Sequence, residues 1–382
     1  MQWHIITGEY PPKRGGVSDY TYLLSRALAE AGEDVHIWTP AVSPDVDGLA
    51  PIEVHVLPPR FGLRWLLALH RGLEAVGNQG TVLVQYVPHM YGWKAMNLAF
   101  CLWLALQRKK KKIWVMFHEV AFPFRRHQPL KHDLLAVAHR LMAWVVLRGA
   151  EKSFTSIEPY KELLTRLAPK AQIEIMRLFS NVPFGDATGE LDRRRSQPGN
   201  ARPLVGTFSS FGKETWEQLK HTLPVLLKDS TFDLLLVGPG ANFIRYFSRK
   251  YPMFKHRLRT TGRVNALEAG PYIQSCDVLL QLYPDGACGA RGTFTAALAS
   301  GVPVVTTVGP LTEPLLRGAV VLAGQKPDQI RREIERLLAD KAAAYKLGAA
   351  SRRLYEDHFD VSVSVATLTQ GRVVTAPECA VA

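Results

Sequence analysis

The stretch of this chain with the strongest chemical signal, Tyr283–Thr307, joins a glycine-rich loop to an apolar, alanine-rich segment. Gly286, Gly289 and Gly292 let the backbone approach a ligand closely, and the free N–H groups at the start of the predicted helix attract an anion. Arg291 stands at that start, where it adds a fixed positive charge. An ordinary strand-to-helix turn has the same pattern, so the residues alone leave both interpretations open.

Two shorter motifs in the first half carry residues suited to binding or proton transfer. Gly15 and Gly16 lie in the loop GEYPPKRGG, after a strand-like run at residues 3–7, and His118 with Glu119 lies in the run IWVMFHEV. In a parallel sheet, ligands bind at the carboxyl ends of the strands, so both motifs are expected to line one crevice. For the two glycines, the alternative is a tight turn that binds no ligand. For His118, it is a histidine that only caps an element or hydrogen-bonds to neighbouring protein groups.

The order of the predicted elements supports parallel sheets. Residues 3–7, a helix at 18–31 and the run DVHIWTP give strand, helix and strand, which is typical of α/β domains. The polar, Gly- and Pro-rich stretch at 184–203 marks a domain boundary. After it the alternation restarts, with helices predicted at 214–228, 242–251 and 266–275.

Composition narrows the classes of partner. The 382 residues are enough for two domains, and a net charge of +13 favours anionic partners such as phosphorylated small molecules, an anionic membrane surface or nucleic acid. The four cysteines are scattered, which argues against a disulfide framework or a cysteine metal site and fits a reducing cytoplasm. The sequence has no uncharged apolar run long enough to span a bilayer.

Two helical stretches of the first half have an unusual mixture of residues. Residues 60–76 combine Arg, Trp and Leu, and residues 96–112 are very apolar and end in Lys109–Lys112. A core helix followed by a solvated lysine run is the simpler interpretation of the second stretch. The alternative is a peripheral contact with the inner membrane face, through basic groups on lipid headgroups with Trp and Leu below them. Nucleic acid is not expected, because no nucleic-acid module is evident.

Together these motifs resemble the GT-B glycosyltransferases, in particular the family 4 type. The resemblance rests on EYPPKRGG and DVHIWTP, on FHE, and on VGTFSSFGK, LLLVGPG, TGRV and AALASGVPVVTT in that order. It implies two Rossmann-like α/β domains that face each other across a cleft. Residues 1–185 would form the acceptor-side domain and 186–345 the donor-side domain, and 346–382 would supply helices that cross back to the first domain, then a loose tail.

Carried over by position, the resemblance assigns catalytic roles in the first domain. His118 would lie beside the transferred sugar, with Glu119 supporting it. Gly15 and Gly16 would lie near the donor diphosphate, where a side chain would obstruct it.

The resemblance also assigns donor-binding residues in the second domain. Arg263 and Val264 would border the nucleobase, and Gly289–Thr293 would direct backbone N–H groups at the diphosphate. Glu313, in the segment GPLTE, resembles a family glutamate just past the site.

The sequence also departs from the family pattern. Two glutamates with seven residues between them are usual across the loop and helix, but Cys288 and Ala296 occupy those positions, and Thr207 replaces the usual arginine after the first strand of the second domain. A departing diphosphate needs positive charge. We therefore expect Arg291 to substitute, and Asp285 to hold sugar or ribose hydroxyls.

Further positive charge is expected from Lys213, which is offset from the family's usual lysine position, and from Arg245. No Asp-x-Asp type of carboxylate pair stands at a strand end, so no metal cofactor is predicted.

The predicted activity is hexosyl transfer from a nucleoside-diphosphate sugar to an acceptor hydroxyl, with retention at the anomeric carbon as the resemblance implies. The acceptor would be a lipid-linked, saccharide or small-molecule hydroxyl. One alternative is a non-catalytic partner subunit that keeps the fold and binds nucleotide sugars. An NAD-dependent oxidoreductase is disfavoured, because Phe243 stands where the third glycine of a dinucleotide fingerprint belongs.

Overall fold

The computed structural model describes residues 1–13, 15–40, 52–77, 79–92, 96–124, 128–185 and 202–370. They form two compact units, of which the first comprises Met1–Arg177 with the helix Val361–Thr369 and the second comprises Leu178–Asp360. The predicted boundary stretch at 184–203 lies mostly outside the described residues, and so does the tail from 371.

The first unit is built on a seven-stranded parallel sheet in the order β3-β2-β1-β4-β5-β6-β7. Its strands are β1 (Gln2–Ile6), β2 (Asp34–Thr39), β3 (Ile52–Val56), β4 (Thr81–Tyr86), β5 (Lys112–Phe117), β6 (Lys152–Thr155) and β7 (Ile173–Ile175). Its first helices are α1 (Gly16–Glu30), α2 (Leu63–Val76), α3 (Leu98–Gln107), α4 (Leu130–Gly149) and α5 (Glu158–Leu167). The inner strands are buried on both faces, which is why a run such as IWVMF in β5 is all apolar.

The second unit contains a six-stranded parallel sheet in the order β10-β9-β8-β11-β12-β13. Its strands are β8 (Leu204–Phe208), β9 (Asp233–Val237), β10 (Leu258–Gly262), β11 (Val278–Gln281), β12 (Val304–Thr307) and β13 (Val321–Ala323). Its helices are α6 (Lys213–Leu227), α7 (Ala241–Lys250), α8 (Ala266–Gln274), α9 (Gly292–Ala299), α10 (Pro327–Ala339) and α11 (Lys341–His358).

The chain returns to the first unit at Val361. There the last described helix, α12 (Val361–Thr369), packs against α1, whereas α11 packs against α9 in the second unit. Among the described residues, no helix is long and apolar enough to serve as a membrane span.

Both sheets confirm the predicted α/β class with two Rossmann-like domains. In each sheet the strand order reverses once, between β1 and β4 in the first unit and between β8 and β11 in the second. Ligands of open α/β sheets bind outside the carboxyl ends of the strands at this reversal. The loops after these four strands are therefore the places where site residues are expected.

Candidate functional site

The loop after β11 builds a positively charged site around one aromatic ring. Arg291 immediately precedes α9, and its guanidinium lies 4.7 Å from the centre of the Tyr283 ring. The ring holds the arginine through a cation–π contact, and the Asp285 carboxylate is 4.0 Å from the guanidinium. The Arg291 side chain is 26% exposed, so it is positioned by the protein and still accessible to a ligand.

The start of α9 adds backbone donors to this charge. The N–H groups of Gly292 and Thr293 have no hydrogen-bond acceptor within the part of the chain that the structure describes. The Thr293 hydroxyl is 2.8 Å from the hydroxyl of Tyr283, so one tyrosine contacts both the helix start and Arg291. Free N–H groups beside a guanidinium are the elements of an anion site, and a diphosphate carries the matching charge.

The three glycines of the loop after β11 have different surroundings. A Cβ on Gly286 would lie 2.3 Å from the backbone nitrogen of Gly309, and one on Gly289 would lie 2.7 Å from the ring of Phe359. These two glycines are therefore needed for packing within the protein. No atom lies within 4 Å of a Cβ built on Gly292, which leaves room for a ligand to approach the helix start.

Glu313 modifies the predicted donor site. Its carboxylate is buried, and it accepts the Gly289 N–H at 3.4 Å, so this N–H is already bonded to the protein rather than free for a diphosphate. Burial raises the pKa of the Cys288 thiol, and the Glu313 charge raises it further. The carboxylate of Glu313, in the segment after β12, thus lies near Cys288, which occupies the position of a family glutamate. Ala296, at the other replaced position, is fully buried in α9.

The remaining predicted donor residues follow other strands of the second sheet. Lys213 is exposed at the first residue of α6, which follows β8 at the reversal of strand order. Arg245 is exposed in α7, and Arg263 is exposed directly after β10. Val264 is half-buried and packs against the core of this unit. The structure therefore brings Arg291, Asp285 and Thr293 together with Tyr283. Lys213, Arg245, Arg263 and Val264 lie on or after other elements of the same unit.

His118 occupies a buried site after β5 in the first unit. Its Nε2 lies 2.7 Å from the side-chain oxygen of Gln85 in β4, and the Tyr20 ring meets the imidazole edge-on at 4.8 Å. Burial lowers the pKa of His118 to about 3, so the imidazole is neutral near pH 7. With its Nε2–H donated to Gln85, the ring keeps Nδ1 as an acceptor for a hydroxyl group.

Glu119 does not support His118 as the sequence predicted. Its carboxylate is exposed and lies 3.6 Å from Nδ1 of His89, whereas the imidazole of His118 is bonded to Gln85.

Gly15 and Gly16 differ in what surrounds them. A Cβ on Gly15 would lie 2.4 Å from the Glu9 carboxylate, which is the end of a flexible side chain and would have to move. Gly16, the first residue of α1, has no atom within 4 Å of a built Cβ and leaves the helix start open.

Two residues of these sites, Gln85 and Tyr283, were missed from the sequence. Gln85 is the one amide in the run TVLVQY, and this run lies next to the reversal of strand order. A buried amide at this position could have been recognised as a candidate site residue from the sequence. Tyr283 opens the glycine-rich stretch, but its contacts with Arg291 and Thr293 depend on the folded loop.

Comparison with known proteins places these sites in context. Residues 14–176 match the family model described as Glycosyltransferase Family 4, and residues 202–340 match the model described as Glycosyl transferases group 1. No curated protein matches the chain by sequence.

Several solved structures share the fold over nearly the whole chain. A sucrose-phosphate synthase from Thermosynechococcus elongatus is 18% identical with a TM-score of 0.70, covering 97% of this chain and 98% of that chain. HepE from Anabaena, in complex with UDP, is 12% identical with a TM-score of 0.68, covering 97% and 99%. WaaG, a glycosyltransferase involved in lipopolysaccharide biosynthesis, is 13% identical with a TM-score of 0.65, covering 97% and 100%.

Proposed function

Because this chain belongs to the GT-B glycosyltransferases of the family 4 type, we propose that it transfers a sugar from a nucleoside-diphosphate sugar to an acceptor hydroxyl with retention. The observation that carries the donor assignment is the site around Tyr283, where the guanidinium of Arg291 lies beside the two free N–H groups of α9. The Anabaena structures in complex with UDP and with UDP-glucose support a nucleotide-sugar donor.

The proposed chemistry follows from these groups. When the bond between the sugar and the diphosphate breaks, negative charge accumulates on the leaving oxygen. Arg291 and the N–H groups of Gly292 and Thr293 stabilise that charge without needing to reorganise. The proposal includes no metal ion, because these donors supply the positive charge that the leaving diphosphate needs.

His118 is proposed to position the sugar. Its imidazole is held by Gln85 and is neutral near pH 7, so it offers a hydrogen bond to a sugar hydroxyl rather than a charge. A protein that only binds nucleotide sugars needs the donor site but not this histidine. His118 therefore separates the proposed enzyme from a non-catalytic partner subunit.

Donor binding is tested by a thermal-shift screen against UDP, GDP, ADP and their sugars, with NADH as the comparison. We expect one nucleoside diphosphate to raise Tm by several degrees, since a ligand that binds only the folded protein stabilises it. NADH is expected to have no effect, because Phe243 is fully buried where a dinucleotide site needs its third glycine. A shift with NADH alone would favour the oxidoreductase alternative.

We further propose that the first unit contacts a membrane surface, where a lipid-linked acceptor would lie. Large apolar side chains are exposed on three helices that lie next to one another: Leu63 and Leu67 on α2, Leu98, Leu102 and Leu106 on α3, and Leu130, Leu134, Val137 and Leu141 on α4. The rings of His70 on α2 and Trp103 on α3 are 6.4 Å apart, and α3 packs along α4. Exposed apolar residues on adjacent helices are typical of an interaction surface.

The lysine run beside this surface is not uniformly solvated, contrary to the simpler sequence interpretation. Lys109 and Lys110 are exposed, but Lys111 is buried and lies 3.6 Å from the Glu74 carboxylate. Lys112 begins β5 and contacts the Trp114 ring at 4.6 Å. Two lysines of the run are therefore available to anionic headgroups, and two serve the fold.

Membrane contact is tested by co-sedimentation with vesicles. We expect the protein to bind vesicles that contain anionic lipid at low salt, and the double variant Leu102→Glu, Leu134→Glu to reduce the partition coefficient more than about tenfold, because each leucine contributes apolar burial. Leu267→Glu, at an exposed leucine of the second unit, is the matched control. Absence of binding at low salt, or an equal loss in the control, would contradict the proposal.

A further inference from the structure

Two histidines and a glutamate of the first sheet converge within β2 and β3, rather than in the loops after them. His36 is opposite Glu53 in the parallel register, and the next same-face pair sets Trp38 opposite His55. Because alternate residues of a strand share a face, His36, Glu53 and His55 lie on one side of the sheet. His36 Nδ1 is 3.0 Å from His55 Nε2 and 3.3 Å from the Glu53 carboxylate, and His55 Nε2 is 3.6 Å from that carboxylate.

Protons on the two rings leave at least one unfavourable contact in this cluster. If only one of the two facing nitrogens carries a proton, the other nitrogen presents a lone pair to the Glu53 carboxylate. If both carry one, two N–H groups face each other across 3.0 Å. A cation between the three atoms removes the conflict, because imidazole nitrogen and carboxylate oxygen are both metal ligands.

The dimensions fit a small transition-metal ion. Zinc binds histidine nitrogen and carboxylate oxygen at about 2.0–2.2 Å in a tetrahedron, so its ligand atoms are about 3.3 Å apart. The separations here bracket that value: the two ring nitrogens are 3.0 Å apart, and they lie 3.3 and 3.6 Å from the two oxygens of the Glu53 carboxylate.

The surroundings of the cluster also match a metal site. The Asp34 carboxylate is 3.4 Å from Nε2 of His36, the ring nitrogen that faces away from the cluster. A carboxylate in this place fixes the ring of a metal-binding histidine and increases its basicity. The Gln2 amide nitrogen donates to the Asp34 carboxylate at 3.1 Å and lies 3.0 Å from the same ring nitrogen of His36.

The exposure of the ligands is favourable. His36 is buried against the stacked ring of His4, whereas the Glu53 side chain is 64% exposed, so an ion can reach the cluster from solvent.

We propose that His36, Glu53 and His55 bind one divalent transition-metal ion of the zinc type, with water at the fourth position. The ion would cross-link β2 to β3, which is the edge strand of the sheet. Its role is to stabilise the first unit, and it is separate from the proposed sugar transfer.

The test uses the full chain without a histidine tag, stripped with a chelator and dialysed. We expect calorimetry to show one Zn²⁺ per chain, and Co²⁺ to give the visible absorption bands of a four-coordinate complex. At a hundredfold excess over Kd, Zn²⁺ is expected to raise Tm by about 5 °C, because it binds the folded state selectively. Failure of the wild-type protein to bind Zn²⁺ stoichiometrically would overturn the proposal.

Variants locate the ion. Glu53→Gln, at an exposed side chain that is not needed for packing, and His55→Gln should abolish stoichiometric binding, and Asp34→Asn should weaken it about tenfold to a hundredfold. His221→Gln is the control: His221 also lies near a glutamate, Glu217 at 3.7 Å, but it is exposed on α6 without a third ligand. Unchanged binding in both ligand variants would overturn the site.

Discussion

Replacement of Arg291 by alanine is expected to lower kcat/KM for sugar transfer by about a hundredfold to a thousandfold. The arginine usual in the family after the first strand of the second domain is replaced here by Thr207, so we expect more of the stabilisation of the leaving diphosphate to fall to this guanidinium. The side chain is held over Tyr283 beside the start of α9, and alanine removes the charge without opening a core cavity. The variant is therefore expected to stay folded, with a Tm close to that of the wild type.

Two further variants sharpen this result. Arg291→Lys keeps a positive charge but loses the planar group that stacks on Tyr283, so it should recover only part of the activity. Arg336→Ala removes an exposed arginine of α10 that pairs with Glu333, and it should leave transfer unchanged. Steady-state kinetics with saturating acceptor measures all three variants, and wild-type turnover in Arg291→Ala would show that this arginine is not the substitute.

The second large effect is expected at His118, where alanine should lower kcat by about a hundredfold, because a sugar that is misplaced by about 1 Å reacts far more slowly. Binding of the nucleoside diphosphate should be retained, since Arg291 and the free N–H groups of Gly292 and Thr293 belong to the second unit. The measurement compares turnover with the nucleotide-induced shift in Tm. Unchanged donor hydrolysis and transfer in His118→Ala would favour the non-catalytic binder.

The neighbours of His118 give an independent check. Gln85→Leu removes the hydrogen bond to the ring and should reduce kcat, whereas Glu119→Gln should have a smaller effect, because Glu119 pairs with His89 instead. If Glu119→Gln reduced kcat more than Gln85→Leu does, the sequence prediction that Glu119 supports His118 would be restored.

The pH dependence of kcat and of stability also tests the proposed state of His118. With its pKa lowered to about 3, His118 stays neutral in the folded enzyme, so it should not produce an acidic limb in kcat near its ordinary value of 6.5. Between pH 3 and 6.5, the imidazole of His118 is protonated in the unfolded chain and neutral in the folded chain. The contribution of His118 to stability is therefore complete above pH 6.5 and is lost as pH falls towards 3. The free energy of unfolding should fall less over this pH range in His118→Ala than in the wild type.

Local sequence patterns were sufficient for most of the fold. The helices predicted at 214–228, 242–251 and 266–275 are found at Lys213–Leu227, Ala241–Lys250 and Ala266–Gln274. Apolar spacing and turn residues act within one element, so they can be recognised without knowing the partners. The exposed leucines of α3 show the limit. The apolar run at 96–112 left both a core helix and a membrane contact open, and the folded helix buries Phe100 and Leu104 while Leu98, Leu102 and Leu106 face solvent.

The site was less predictable, since it depends on contacts between distant segments. The position of Arg291 at a helix start followed from the glycines and alanines around it. The bond between Gly289 and Glu313 joins residues 24 positions apart, and that between His118 and Gln85 spans 33. The cluster of His36, Glu53 and His55 likewise requires the register of β2 on β3, which no local pattern encodes.

The most direct test of the central claim is transfer itself. The purified chain is incubated with nucleoside-diphosphate sugars that carry a labelled sugar, with and without lipid and saccharide acceptors, and both released nucleotide and labelled product are measured. We predict that one donor releases nucleoside diphosphate in step with label in an acceptor, with the anomeric configuration retained and with both signals strongly reduced in Arg291→Ala. Tight binding of that donor by the wild type with no release under any acceptor condition would contradict the account and identify the chain as a binding subunit.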